Sequence, residues 1–316
     1  MFKIIITFLV FCIVLFLYLH ITFHLKTSND LEIYDIEKTS KDKLEEICNL
    51  RQPVIFDFDC LSIVENTNKK KLLNHYRAFD IKIRNVDNSK PREDDIFIPL
   101  KLHDAGKLFH EDTSSTYYSE NNKEFLEETG VLKIMQRKDD FLRPPMVSDC
   151  NYDVLFGSQG TQTPFRYELS YRNFVLVTEG SVKIKLAPPK NTKYLHCIQD
   201  YEKYEFFSPV SSWNPQSQYK NDFGKVKCLD IILPFGKTVF IPPYWWYSIE
   251  FQKDSSVSFF KYRTYMNHLA ILPHTCLYFL QSQNVKRYIV KKANATESQE
   301  APDDSYEIYD DDDEDK

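Results

Sequence analysis

Arg166 and Glu168 are the residues whose types and spacing most directly suggest chemistry. They stand two positions apart in FRYELS, directly after Thr163 and Pro164. Side chains two apart on a strand project from the same face, so the guanidinium and the carboxylate are expected to lie together. An inward-facing pair of this kind can form a charge-neutral, hydrogen-bonded cluster, or it can bind a small anion through the arginine.

Two longer segments contain this pair and a third candidate, Tyr247. They read GSQGTQTPFRYELSYRNFVLVTEGSVKIKLAPP at 157–189 and FGKTVFIPPYWWYSIEF at 235–251. Both resemble the cupin-like Jumonji-C oxygenases, in particular the asparaginyl-hydroxylase branch typified by factor inhibiting hypoxia-inducible factor. The family pattern reads T-P-x-H-Y-D, N-F, a glycine and P-P in the first segment, and G-D-x-x-x-I-P-x-Y-W-W-H in the second. The resemblance covers about residues 145–265 and implies a double-stranded β-helix.

The resemblance also implies a metal site, which this sequence alters. Family members hold Fe(II) with a His-x-Asp/Glu pair and a distant histidine, leaving coordination positions for 2-oxoglutarate and oxygen. Here Arg166 occupies the first histidine position, Glu168 keeps the carboxylate, and Tyr247 occupies the position of the distant histidine. Arginine stays protonated and offers only donors, so it cannot ligate a metal. The site is therefore expected to be degenerate, with no metal and no cofactor bound.

The positions that match the family's cosubstrate pocket are Thr163, Asn173 and Val182. Thr163 matches a threonine that helps to bind 2-oxoglutarate, and Asn173 opens the N-F pair. The lysine that pairs with the distal carboxylate of 2-oxoglutarate is replaced by Val182, and Lys183 follows one position later. A step of one residue along a strand turns a side chain to the opposite face, so Lys183 replaces that lysine only if a bulge intervenes.

Three functional hypotheses follow from these residues. The main one is a catalytically inactive protein with a binding or structural role, in which Arg166, Glu168 and the Tyr247 hydroxyl fill the place of the metal. A second is a small-ligand or anion site built on Arg166. The third is an active Fe(II)/2-oxoglutarate-dependent protein hydroxylase with an atypical site.

Two other motifs could suggest a function, but a simpler structural interpretation is preferred for each. His110-Glu111-Asp112 is the only H-x-D/E triplet in the chain, but it precedes a Ser/Thr-rich loop, and its polar side chains are expected to lie at the surface without binding a metal. Trp245 and Trp246 could form a binding platform. Their place after I-P-P indicates instead that they alternate between the interior of the barrel and its outer packing.

The surrounding pattern predicts a mainly β fold with flanking helices. Strands are expected at 53–58, 79–86, 96–102, 152–156, 164–169, 173–178, 181–186, 228–233, 238–241, 246–251 and 256–262. A turn-rich segment is expected at 87–95, a polar loop at 112–122, and a helix at 123–135 interrupted at Gly130. Helical spacing returns over residues 265–292 with a break at Pro273, and these helices could form a homodimer.

The amino terminus predicts a membrane anchor. The 22 residues between Lys3 and Lys26 carry no formal charge, and a helix of that length spans about 33 Å. No A-x-A-like cleavage pattern follows, which favours a single-pass anchor through residues 4–25 over a signal peptide. The expected order is an anchor at 1–26, a juxtamembrane segment at 27–50, a cupin-like domain at 51–292 and a tail at 293–316. The sequence does not decide on which side of the membrane the cupin-like domain lies.

Charge and composition limit the partners. Eleven acids and one base give residues 297–316 a charge of −10, which leaves +4 for the other 296 residues of a chain whose total is −6. Such a tail is expected to be disordered. The body has no basic stripe interleaved with aromatics, so the expected partner is an unidentified protein and not a nucleic acid. Seven scattered cysteines form no C-x-x-C pair, which excludes a zinc knuckle or a dense disulfide framework.

Overall fold

The computed structural model describes residues 2–37, 39–86 and 97–283. It opens with helix α1, Phe2–Leu25, whose most apolar window has a mean hydropathy of 2.9. By length and composition this helix is able to cross a membrane. The acidic tail at 293–316, residues 284–292 of the predicted C-terminal helices and the turn-rich segment at 87–95 lie outside the described residues.

The larger sheet has nine strands in the order β1-β2-β13-β8-β15-β6-β5-β3-β4 among the described residues. All neighbouring strands pair antiparallel except β1 and β2. The strands are β1 Tyr34–Ile36, β2 Val54–Asp57, β3 Asp80–Asn85, β4 Ile98–Lys101, β5 Tyr117–Ser119, β6 Val147–Gly157, β8 Arg172–Glu179, β13 Lys237–Ile241 and β15 Ser256–Thr264.

The smaller sheet is antiparallel and has six strands in the order β10-β11-β7-β14-β9-β12 over the same ranges. Its strands are β7 Arg166–Tyr167, β9 Ser181–Ala187, β10 Ile198–Asp200, β11 Glu205–Phe207, β12 Leu229–Pro234 and β14 Trp246–Phe251.

The two sheets share one apolar core. Val175 and Val257 from the larger sheet and Ile184 and Ile249 from the smaller one belong to the same buried cluster. Strand β9 alternates between buried and partly exposed residues, as expected of a strand with one face on the core. All eight residues of β8 are buried because helices cover the outer face of the larger sheet.

Helices supply that outer layer and both ends of the described chain. They are α2 Lys41–Cys48, α3 Leu61–Thr67, α4 Lys69–His75, α5 Leu102–Glu111, α6 Lys123–Glu128, α7 Val131–Lys138, α8 Lys220–Phe223, α9 Tyr265–Ala270 and α10 Leu272–Gln283. Leu44, Ile63, Ala105, Leu126 and Met135 pack from this layer into the outer core cluster. The predicted cupin fold, mostly strands with flanking helices and an apolar first helix, is confirmed; closure of the sheets into a barrel stays a prediction.

Several local predictions need correction. The run at 96–102 ends as a strand at Lys101, and Leu102 begins helix α5, which was not expected. The predicted polar loop at 112–122 contains strand β5, and only Arg166 and Tyr167 form a strand within 164–169. The helical break lies at Ile271, because Pro273 stands in the first turn of α10, where proline is tolerated.

Packing continues across the predicted domain boundary at residue 50. Strand β1 pairs with β2, and Leu44 and Cys48 of helix α2 enter the outer core cluster. Arg172 of β8 donates to the Cys48 carbonyl and to Asn49 Oδ1 at 3.3 and 2.6 Å. Part of the predicted juxtamembrane segment therefore packs as part of the domain.

Candidate functional site

Sheet register brings the two candidate segments together. Strand β7 pairs with β14 so that Arg166 lies directly opposite Tyr247. Directly opposed residues on antiparallel strands point to the same face, and Glu168 follows two residues after Arg166. Tyr247, about 80 residues away in sequence, therefore meets Arg166 and Glu168 at one point.

The Tyr247 hydroxyl links the other two side chains. It accepts a hydrogen bond from Arg166 Nε at 3.2 Å and donates one to Glu168 Oε1 at 2.9 Å. The guanidinium carbon of Arg166 lies 5.6 Å from the centroid of the Tyr247 ring. Tyr247 is fully buried and Arg166 is buried, so this chain of hydrogen bonds lies largely away from water.

Two further residues that sequence reasoning missed complete the ion pairs. Glu120, in the segment after β5, places Oε2 2.6 Å from Arg166 Nη2. Lys261, on β15, places Nζ 2.7 Å from Glu168 Oε1. Each charge of the predicted pair thus has an opposite charge of its own.

The network extends from Glu120 to the rim of the sheets. Glu120 Oε1 also accepts from Arg84 Nη1 and from the Tyr118 hydroxyl. Arg84 Nη2 in turn lies 3.1 Å from Glu205 Oε2. Three cations and three carboxylates balance formally in what we call the Arg166 cluster: Arg84, Arg166, Lys261, Glu120, Glu168 and Glu205.

The protonation states of the cluster match this charge pattern. Burial by itself would raise the pKa values of Glu120 and Glu168, but nearby cations reverse the effect. The cations are Arg166 and Arg84 for Glu120, and Lys261 and Arg166 for Glu168, and both pKa values lie below the usual range. Burial raises the pKa of Tyr247 well above its usual value, so the phenol keeps its proton.

This donor set does not fit a ferrous site. Arg166 has no lone pair to offer, Tyr247 is held protonated, and Glu168 is already bound by Lys261 and Tyr247. Within residues 2–37, 39–86 and 97–283, no group of three His, Cys, Asp or Glu side chains is arranged to hold a metal ion. The chemistry of these side chains supports charge balance and hydrogen bonding.

The predicted cosubstrate positions are engaged by the fold itself. Thr163 Oγ1 accepts from the Ile249 backbone N–H at 2.9 Å, and Asn173 Nδ2 donates to two backbone carbonyls at 3.2 Å. Val182 is fully buried in the core between the sheets. Lys183 points to the other face, where its Nζ lies 3.0 Å from Glu250 Oε1. The structure therefore supplies no lysine at the matching inward position.

The remaining sequence motifs lie elsewhere. Trp245 and Trp246 are both fully buried and belong to different apolar clusters, which agrees with the predicted alternation. His110 and Glu111 are exposed on helix α5, away from the cluster. Asp112 ends that helix and accepts hydrogen bonds from backbone N–H groups of the loop that follows.

Comparison with known proteins identifies the domain. A model of the cupin-like domain matches residues 40–265. HSPB1-associated protein 1 from Rattus norvegicus is 26% identical over 134 residues, which is 40% of this chain and 28% of that protein. The Homo sapiens protein of that name is 30% identical over 95 residues, or 30% of this chain and 20% of its own length. The matches thus cover less than a third of these relatives.

The family match includes strands β2 to β15 and every residue of the Arg166 cluster. It spans well over half of the chain and contains the paired segments in which Arg166 and Tyr247 face each other. The chain therefore belongs to the cupin-like domain family.

Proposed function

We propose that this chain is a membrane-attached cupin-like protein without oxygenase activity, in which the Arg166 cluster closes the place where active relatives of the family hold iron. The observation that carries the proposal is the contact of 2.6 Å between Arg166 and Glu120. A guanidinium held in this way excludes a metal cation by charge as well as by its lack of a lone pair.

The role that remains for the domain is binding or support. The curated relatives are named for association with HSPB1, and this supports a protein partner for the present domain without naming it. Membrane attachment is supported by the length and apolarity of helix α1. Together these features suit a rigid module held at a membrane, where it presents a surface to another protein.

Metal and turnover measurements on the full chain test the proposal. The purified protein is incubated anaerobically with Fe(II), desalted and analysed for iron, and succinate release from 2-oxoglutarate is then measured. We expect no iron and no succinate above the level of Glu168→Ala. The matched control is Glu250→Ala, because Glu250 is also paired with a lysine but lies on the outer face of its sheet.

The competing hypothesis, an Fe(II)/2-oxoglutarate-dependent hydroxylase with an atypical site, makes the opposite prediction. It requires about one iron per chain and succinate release that Glu168→Ala abolishes and Glu250→Ala retains. That pattern would overturn the proposal. Iron that all three proteins bind equally would be adventitious and would leave the site without a metal.

A further inference from the structure

The last two turns of helix α1 are docked on the folded domain. His24 is buried, and three side chains at helical spacing from it are partly covered: Leu17, His20 and Ile21. His24 Nε2 lies 3.2 Å from the hydroxyl oxygen of Thr264, the residue that caps helix α9. Helix α1 packs along α9, so α9 lies at the same level as the end of the apolar helix.

The length of the exposed part of α1 limits how far the docked turns can lie from the bilayer. Residues 2–16 are exposed, and 15 residues of helix extend about 22 Å. The hydrocarbon core of a bilayer is about 30 Å thick, so these residues are too few to cross it alone. If α1 spans a membrane, its docked turns must lie within the membrane boundary, and α9 must lie there beside them.

The surface of α9 and α10 has the composition that this location requires. No Asp, Glu, Lys or Arg occurs between residues 265 and 283. Large apolar side chains are nevertheless exposed along both helices: Tyr265, Leu269, Leu272, Leu277, Tyr278, Phe279 and Leu280. The sequence that follows carries four bases between residues 286 and 292, a composition that suits anionic headgroups.

One side of α10 contacts the domain, so its opposite side faces outward. A ring nitrogen of His274 lies 3.0 Å from the Tyr201 hydroxyl, and the Tyr278 ring meets the Tyr204 ring edge-on with centroids 5.4 Å apart. These contacts attach α10 to the edge of the smaller sheet formed by β10 and β11. Its apolar surface is therefore presented outward as a fixed patch.

We propose that helices α9 and α10 rest in the headgroup region of the membrane that α1 crosses, with Leu272, Phe279 and Leu280 inserted among the lipid chains. The inference rests on the proposed membrane attachment and extends it from a single helix to a rigid contact of the whole domain. A second copy of the chain is the alternative occupant of this patch. The bilayer is favoured because the docking of α1 already positions α9 at the membrane boundary.

Tryptophan quenching on the full chain in liposomes tests this contact. Phe279→Trp places an indole on α10, and Ile232→Trp is the matched control on β12, at the opposite edge of the smaller sheet. The two positions are similarly exposed, at 61% and 69%. With lipids brominated on the acyl chains, we expect the fluorescence added by Phe279→Trp to be quenched at least ~2-fold more than that added by Ile232→Trp.

Flotation of the same liposomes separates the possible failures. If the protein floats but the two added indoles are quenched equally, the interfacial contact is wrong while membrane attachment stands. If the indole of Phe279→Trp is shielded from brominated lipid and also from acrylamide in water, a second copy covers the patch, which overturns the proposal. If the protein does not float, the proposed attachment fails, and this inference fails with it.

Discussion

At the scale of single residues, the Arg166 cluster depends on charges that balance one another away from water. Glu120 contacts both Arg84 and Arg166, so two buried cations depend on one carboxylate. Glu168 depends in the same way on Lys261 and the Tyr247 hydroxyl. Removing one member leaves its partners uncompensated, which costs more than the intact pair contributes.

Glu120→Gln is therefore expected to lower the free energy of unfolding by about 3–5 kcal/mol. Chemical denaturation of the full chain in detergent measures this change. Glu124→Gln is the matched control, because Glu124 pairs with Lys82 at the surface; its effect should stay within about 1 kcal/mol. Equal effects of the two substitutions would mean that the cluster is solvated.

Removing the Tyr247 hydroxyl tests the link between the two ion pairs. Tyr247→Phe keeps the buried ring but removes both hydrogen bonds, and we expect a loss of about 1–3 kcal/mol in the same assay. Tyr219→Phe serves as the control, because Tyr219 lies in a short helical turn outside the core. An unchanged unfolding midpoint for Tyr247→Phe would show that the hydroxyl contributes nothing to stability.

Asp153 gives the fold a pH dependence of the opposite sign to the cluster carboxylates. Burial raises its pKa to about 6, although its carboxylate accepts from the Asn121 and Asn122 backbone N–H groups. Because its pKa is higher in the folded protein, Asp153 contributes stability that is fully present below pH 3.8, its pKa in the unfolded chain. This contribution is lost as pH rises through about 6. We expect Asp153→Asn to flatten the unfolding free energy between pH 4 and pH 6.

The control for this measurement is a substitution of Glu168, whose pKa is lowered in the folded protein. Its contribution is present above the usual carboxyl range and is lost as pH falls below it. Glu168→Gln should therefore change the slope only at the acid end. If Asp153→Asn leaves the slope between pH 4 and pH 6 intact, the raised pKa of Asp153 is wrong.

At the scale of secondary-structure elements, strand register decides which side chains meet. Gly157 ends β6 where the Phe251 ring of β14 crosses it, and a Cβ at residue 157 would clash with Phe251 Cδ2. Gly157→Ala is expected to cost about 1–3 kcal/mol by overpacking. Gly224→Ala is the comparison, since the nearest atom lies 3.3 Å from its added Cβ. Thermal unfolding of both variants measures the difference.

The elements also explain what sequence could and could not predict. The two sequence motifs predicted that Arg166 and Tyr247 meet. Lys261 could also have been found, because it stands two residues after Phe259 on β15 and so points to the same inner face as Val257 and Phe259. Glu120 gave no such signal, because it stands in a polar segment whose approach to Arg166 depends on the pairing of β5 with β6. Helix α5 was missed because its start at Leu102 directly continues an apolar strand run.

At the scale of the whole molecule, Arg51 joins helix α1 to the sheets. It is fully buried, its guanidinium lies over the Phe23 and Tyr171 rings, and Nη2 donates to the Phe23 carbonyl at 3.4 Å. The first helix is thereby attached to the domain as a rigid extension. Any tilt of that helix in a membrane would be transmitted to the domain.

Arg51→Ala should loosen this joint without unfolding the sheets. We expect faster hydrogen exchange of the backbone amides at residues 17–25 and unchanged protection in β15. Arg77→Ala is the control, because Arg77 is exposed just beyond helix α4 and donates to the Leu73 carbonyl of that helix. Loss of protection in β15 as well would indicate global destabilisation and not a local joint.

The ion pair between Arg166 and Glu120 also has an evolutionary consequence. A single change of Arg166 to histidine would leave the buried Glu120 carboxylate with Arg84 and the Tyr118 hydroxyl but without its second cation, at a cost of roughly 3–5 kcal/mol. Domains of this kind have a total stability of only about 5–15 kcal/mol. If the proposed loss of the metal site is right, regaining a histidine ligand at residue 166 would therefore pass through an intermediate that has given up a large share of this stability.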